Sequence, residues 1–194
     1  VTIENSRDIS IKGFTFVNGS GKEKSGPGWS TEYTFGGGFY IVGSENVRIA
    51  DSLVTRNGSG NGTYGSAFFF ADSGVTLVEN TIFENLYAEY RSSLGVIYAI
   101  ESTLNLERNT VRNNISNSGI LYAHECTLHL KDNIFKDNES KGSFYSRGGA
   151  LEIQGSDAII EGNTIINNIS MGDGGGLHYV GSGSLYIYNN TISN

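Results

Sequence analysis

Proline and cysteine each occur once in the 194 residues, as Pro27 and Cys126. A single proline excludes collagen-like and polyproline chains, which need it in abundance. A single cysteine excludes a fold stapled by intrachain disulfides. Cys126 reads as a small buried hydrophobe rather than a nucleophile, since His124, its nearest base, is a weak partner. Cationic residues are also scarce: 13 Lys and Arg against 20 Asp and Glu leave a formal net charge of −7. Lys22, Lys24 and Lys141 stand singly in polar stretches. Without a basic face to follow phosphates, nucleic acid is not an expected partner. Long apolar runs are missing too. The longest, from Ala67 to Ala71, falls far short of the roughly 18 residues of a membrane helix. The first residues carry neither the basic nor the apolar segment of a signal peptide.

Glycine is abundant at 27 residues, about twice its usual share. Hydrophobic residues make up 38% and aromatic ones 11%, enough to build a core. Asn, Ser, Thr and β-branched residues dominate the remainder, which is the composition of strands and turns. One pattern recurs: apolar-x-apolar, a polar pair, then apolar-x-x-Asn. It reads VTLVENTIFEN at 75–85, LNLERNTVRNN at 104–114, LHLKDNIFKDN at 128–138, AIIEGNTIINN at 158–168 and LYIYNNTISN at 185–194, with looser copies at 9 and 47. Small residues followed by a short apolar strand lie between the copies, as in GSAFFFA (65–71), LGVIYAI (94–100), SGILYAH (118–124), GGALEIQ (148–154) and GGGLHYV (174–180). No 3.6-residue periodicity survives beyond one turn, so helices are not expected.

Strands recurring in the same order stack coil on coil, with equivalent strands parallel and about 4.8 Å apart. The expected fold is all-β: a right-handed single-stranded parallel β-helix of about seven coils of 24–30 residues, forming one repeat domain over 1–194. That domain reads as a fragment of a larger protein. Alternation assigns Val75 and Leu77 inward with Thr76 outward, Leu128 and Leu130 inward with His129 outward, and Leu151 and Ile153 inward with Glu152 on the surface. Asn80, Asn109, Asn133, Asn163 and Asn190 share one position after the first strand. Asn tolerates a left-handed bend there, and its amide can bond up a stacked column.

The tetrapeptide Gly148-Gly149-Ala150-Leu151 and the FKDN of Phe135 to Asn138 resemble the GGA-[ILV] and F-x-x-N repeats of chlamydial polymorphic outer-membrane proteins. GGGL at 174–177 is a variant of the first motif. The resemblance implies a surface-exposed β-helix of the adhesin kind.

For chemistry, Asp51 and Glu79 stand at one repeat position in adjacent copies, followed by Arg108 and Asp132. That column reads as a surface charge ladder more readily than as a catalytic pair. His124, His129 and His178 lie on different coils and suggest no metal. The SMGDGGGL stretch (170–177) precedes a strand, not a helix, so it lacks the helix terminus of a phosphate cradle. No catalytic residue, metal or cofactor is assigned. Tyr33, Tyr64, Tyr87, Tyr90 and Tyr145 recur in the variable loops as candidate contacts for a glycan or protein partner. The insertions after Asn18 (with Trp29) and after Asn138 are the likeliest contact loops. Sequons occur at Asn18, Asn57, Asn61, Asn114, Asn138, Asn168 and Asn189, a candidate glycan stripe along the solenoid. The expected function is a noncatalytic structural or adhesive segment of an extracellular or cell-surface protein. It would meet neighbouring domains or further copies through uncapped coil ends and form or decorate a filament. A carbohydrate-binding or polysaccharide-degrading β-helix is the alternative.

Overall fold

The computed structural model describes residues 1–24, 33–58, 63–88, 94–142 and 147–193. Tyr90, Tyr145, Asn61 and Trp29 lie outside them. The described strands are arranged as a parallel β-helix. Three seven-stranded sheets and one four-stranded sheet run along the solenoid, and equivalent strands of successive coils pair in parallel. The first sheet stacks Thr2–Glu4, Phe39–Val42, Phe68–Ala71, Ile97–Ile100, Leu121–His124, Leu151–Gln154 and Leu177–Val180. The second runs from Arg7–Lys12 to Leu185–Tyr188 and the third from Thr15–Val17 to Thr191–Ser193. The short fourth sheet runs from Tyr87–Ala88 to Ile169–Ser170. A small sheet of Lys22–Lys24, Tyr33–Phe35 and Thr63–Tyr64 lies beside the first coils.

Inward residues of the first three sheets meet along the axis. Phe39, Phe68, Ile97, Leu121 and Leu151 form one fully buried column, and Ile49, Val78, Leu106, Leu130 and Ile160 form another. Burying such side chains contributes about 1.5–3 kcal/mol each, so the column pattern is the main cohesive element of the fold.

Three corners of each coil follow one rule. A residue in the left-handed region is followed by an inward polar residue that accepts a hydrogen bond from the corner of the previous coil. At the first corner the left-handed residues are Asn5, Gly43, Asp72, Glu101, Glu125 and Gly155. The inward column is Ser6, Ser44, Ser73, Ser102, Cys126 and Ser156. Ser44 Oγ accepts from Ser6 N at 3.2 Å, Ser102 Oγ from Ser73 N at 3.2 Å and Ser156 Oγ from Cys126 N at 2.9 Å. The lone cysteine therefore occupies a serine position, and its thiol donates to the His124 carbonyl at 3.3 Å. Burial pushes that thiol up to about 11, which keeps it protonated and inert.

At the second corner the inward column is Thr81, Asn109, Asn133, Asn163 and Asn190. Each Asn Oδ1 accepts from the preceding coil's N–H at 2.7–2.9 Å. Each buried Asn amide also donates to a core-strand carbonyl, as Asn133 does to Leu106 at 2.8 Å. The third corner repeats this with Asn57, Asn114, Asn138 and Asn168, while Leu86, in the coil between Asn57 and Asn114, fills the position without a side-chain acceptor. Leu86 N donates to Asn114 Oδ1, Asn114 N to Asn138 Oδ1 and Asn138 N to Asn168 Oδ1, at 3.0–3.2 Å.

These contacts correct several sequence expectations. Asn80 is the left-handed residue of its corner (φ 48°) and is exposed, while Thr81 holds the ladder position. Bending and bonding are thus divided between neighbouring residues instead of being combined in one asparagine. The inward residues of that coil are Thr76 and Val78, at 1% and 0% exposure, whereas Val75 is 50% exposed. Gly74 is an additional residue after the corner: Val75 pairs with Thr103 while Ser73 bonds to Ser102. One added residue inverts the alternation, and the buried Thr76 hydroxyl is left without a partner. Asp51 and Glu79 do not share a column either. Glu79 pairs with Ala50 and Glu107, and Asp51 N donates to the Glu79 carbonyl. Leu128, Leu130, Leu151 and Ile153 point inward as expected.

Two measurements separate the corner positions. Asn138→Ala removes the acceptor for Asn114 N and the donor to Val111, and should lower urea-unfolding stability by about 2–4 kcal/mol. Asn113→Ala changes only an exposed left-handed residue and should cost about 1 kcal/mol. Cys126→Ser should leave the unfolding midpoint essentially unchanged, and the native thiol should react with a thiol reagent only after denaturation.

Candidate functional site

Side chains outside the first sheet form columns as regular as those inside. Tyr40, Phe69, Tyr98, Tyr122, Glu152 and His178 are paired in register from coil to coil. The four rings stack in parallel, at 5.4 Å for Tyr40–Phe69, 5.5 Å for Phe69–Tyr98 and 5.0 Å for Tyr98–Tyr122, with interplanar angles of 6–8°. Phe35 packs its edge on Phe69, and Tyr64 packs edge-on against Tyr98 while stacking on Phe35 at 5.2 Å. Each ring between its neighbours thus has both faces occupied by other rings. The column is a cohesive device, and Tyr40 and Phe69 retain only 2% and 7% exposure.

At Glu152 the aromatic column becomes ionisable. Glu152 is 3% exposed, not on the surface as alternation suggested, because its outward face is roofed by the chain around Gly119. Gly119 N donates to its Oε2 at 3.3 Å and Gln154 Nε2 donates to its Oε1 at 2.8 Å. A Cβ on Gly119 would collide with the Glu152 backbone and side chain, so glycine is what lets the two coils approach. Burial holds the Glu152 carboxyl above the usual range, an effect the two hydrogen bonds only partly offset. Burial, and then the Glu152 charge, pushes the Tyr122 hydroxyl up to about 12. His178 follows in the next coil, and its buried Nδ1 has no hydrogen-bond partner. The parallel outer column places His124 beside Gln154, and the His124 Nδ1 is likewise buried without a partner. Tyr122, Glu152 and His178 therefore bring three ionisable side chains into one outer column, and they are the functional candidates that sequence reasoning missed. The signal was present in the aligned LYA, LEI and LHY triplets, where Tyr122, Glu152 and His178 share the middle position.

The tyrosines chosen from the sequence are not brought together. Tyr64 belongs to the roof over the ring column, Tyr87 is exposed on the fourth sheet, and Tyr33 lies in the small sheet. Glu79 is clamped between Arg48 Nε at 2.7 Å and Arg108 Nη2 at 2.6 Å, and Lys12 lies 3.2 Å from Asp51. Both carboxylates are engaged in coil-to-coil pairing. Among the described residues no three His, Cys, Asp or Glu converge as a metal site, and no helix is long and apolar enough to cross a membrane.

The sequons divide. Asn57, Asn114, Asn138 and Asn168 are at most 1% exposed and belong to the third-corner column, so the expected glycan stripe is replaced by a buried ladder. Asn18 and Asn189 are exposed left-handed residues with φ of 59° and 58°.

Glu152 supplies a pH test. Its folded-state pKa lies above the unfolded one, so its contribution is fully present below the ordinary carboxylate range and is lost as pH rises through the raised value. Melting temperatures of wild type and Glu152→Gln should be similar near about pH 4. By about pH 8 the variant should be the more stable of the two.

The residues of the FKDN and GGAL stretches have structural roles here. Phe135 fills the core and Asn138 holds the ladder, while Gly148, with φ of 64°, leaves no room for a Cβ beside the Leu151 carbonyl. Comparison with curated proteins and with solved structures returns no match. A family described as right-handed beta helix region matches residues 1–192. The chain belongs to that right-handed β-helix family.

Proposed function

We propose that the chain is a noncatalytic structural or adhesive segment of an extracellular or cell-surface solenoid. The observation that carries this reading is where the side chains are engaged. Ring faces, the Glu79 clamp and three corner ladders all join one coil to the next, and the rings from Tyr40 to Tyr122 cover one another. The resemblance of GGAL and FKDN to the repeats of surface proteins agrees with it.

The end coils support contact with further coils, a neighbouring domain or another copy. Ile187 and Ile192 continue the columns of Ile160 and Ile165, yet they are 45% and 47% exposed where those residues are 0% and 1%. Exposed apolar positions that continue buried columns favour contact with a further set of strands, of this chain or of another.

A second reading, carbohydrate binding or cleavage, is favoured specifically by Tyr122, Glu152 and His178. A buried carboxyl with a raised pKa beside a histidine is a recognised form of acid–base site.

Electron microscopy with sedimentation analysis tests the first reading. End-to-end assemblies that dissociate in Ile187→Lys and Ile192→Lys variants are the expected result. Monodisperse monomers would remove self-association. Polysaccharide cleavage lost in Glu152→Gln would replace the structural reading with the enzymatic one.

A further inference from the structure

We infer that transfer of an N-linked oligosaccharide to this chain blocks its folding, because four sequons place the acceptor nitrogen inside the third-corner ladder. The inference rests on the atoms of these asparagines. Asn114 Nδ2 donates to the Phe83 carbonyl at 3.0 Å and to Asn138 Oδ1 at 3.1 Å. Asn138 Nδ2 donates to the Val111 carbonyl at 2.9 Å and to Asn168 Oδ1 at 2.8 Å. Asn168 Nδ2 donates to the Phe135 and Ile166 carbonyls at 2.9 and 3.1 Å. Asn57 Nδ2 donates to the Phe16 carbonyl at 2.9 Å, while its Oδ1 accepts from Gly19 N at 2.8 Å.

Glycan transfer from a lipid pyrophosphate donor forms a bond between sugar C1 and Nδ2 as the C1–O bond to pyrophosphate breaks. Nδ2 gives up one of its two protons, which leaves to solvent as the lipid pyrophosphate departs with the electron pair of the C1–O bond. In Asn114, Asn138 and Asn168 both protons are used by the ladder. A pyranose would then stand where a carbonyl oxygen lies about 3 Å away, at residues with 0–1% exposure. The modified chain loses a buried hydrogen bond and gains a group larger than the interior can hold.

The sequons themselves arise from packing. Asn114 and Asn138 point inward, the next residue points outward, and Ser116 and Ser140 point inward with 0% exposure. Strand alternation with two small buried polar residues writes N-x-S without any selection for glycans. An unfolded chain exposes every acceptor, so a transferase that acts before the coils close commits the chain to a non-native state. Asn18 and Asn189, exposed at their corners, tolerate a glycan. The chain is accordingly suited to maturation where no such transferase meets it unfolded.

The test expresses the full chain with a secretion leader in cultured mammalian cells and without one in the bacterial cytosol. A second chain carries Ser59→Ala, Ser116→Ala, Ser140→Ala and Ser170→Ala, which destroys the four sequons but keeps every asparagine. In bacteria both chains should fold with similar circular dichroism and melting temperatures, showing that the four alanines are tolerated. In the secretory cells the wild type should be retained as aggregates with glycopeptides at Asn57, Asn114, Asn138 and Asn168. The alanine chain should be secreted at roughly tenfold higher yield. Soluble, β-rich wild type bearing a glycan at any of those four asparagines would overturn the inference. Equal secretion of the two chains would overturn it as well.

Discussion

Each corner of a parallel coil turns a backbone N–H toward the packed interior, where it needs an acceptor. The molecule meets this constraint at most corners by placing there one polar side chain that accepts from the coil before. Serine serves most coils at the first corner, and asparagine serves most coils at the second and third, where it also donates to a core strand. Buried polar groups without partners are costly, so these columns dictate register, coil spacing and much of the composition. The abundance of Asn and Ser follows from them. So does the identity of the residue preceding each one, which must accept a left-handed backbone.

Outside the barrel the same stacking puts like on like. Because equivalent strands pair directly, a ring at one position meets a ring in the next coil, and a carboxylate meets whatever the neighbouring coil supplies. The Tyr40 to Tyr122 column and the Arg48–Glu79–Arg108 clamp are two results of this geometry. The replacement of ring by Glu152 and then His178 breaks the pattern. Glu79 is held by two arginines, whereas Glu152 is held by Gly119 N and Gln154 Nε2, and burial raises its pKa.

The repeat class was legible in the sequence because apolar pairs and Asn-containing corners recur on every coil. The ladder at Asn109, Asn133, Asn163 and Asn190 was legible for the same reason. Asn80 was misplaced because alignment by residue type favoured matching asparagine with asparagine, whereas Gly74 had shifted the coil by one residue. Glu152 was read as exposed because alternation distinguishes the two faces of a strand but says nothing about a neighbouring loop lying over the outer face. The ladder role of Asn57, Asn114, Asn138 and Asn168 was hidden by the adjacent serine, which supplied a plausible chemical meaning for a residue whose function is to bond the coil beneath.

Hydrogen bonds between coils run along the solenoid axis, and this orientation decides how the molecule bears tension. Force applied at the two ends pulls those bonds open one after another instead of shearing many together. A coil of about 28 residues contributes about 4.8 Å to the folded length but about 95 Å when extended. Under load, each coil that peels away lengthens the chain roughly twentyfold over its folded rise, and the remaining coils keep their ladders intact. A tether built this way yields in discrete steps and dissipates work at each one.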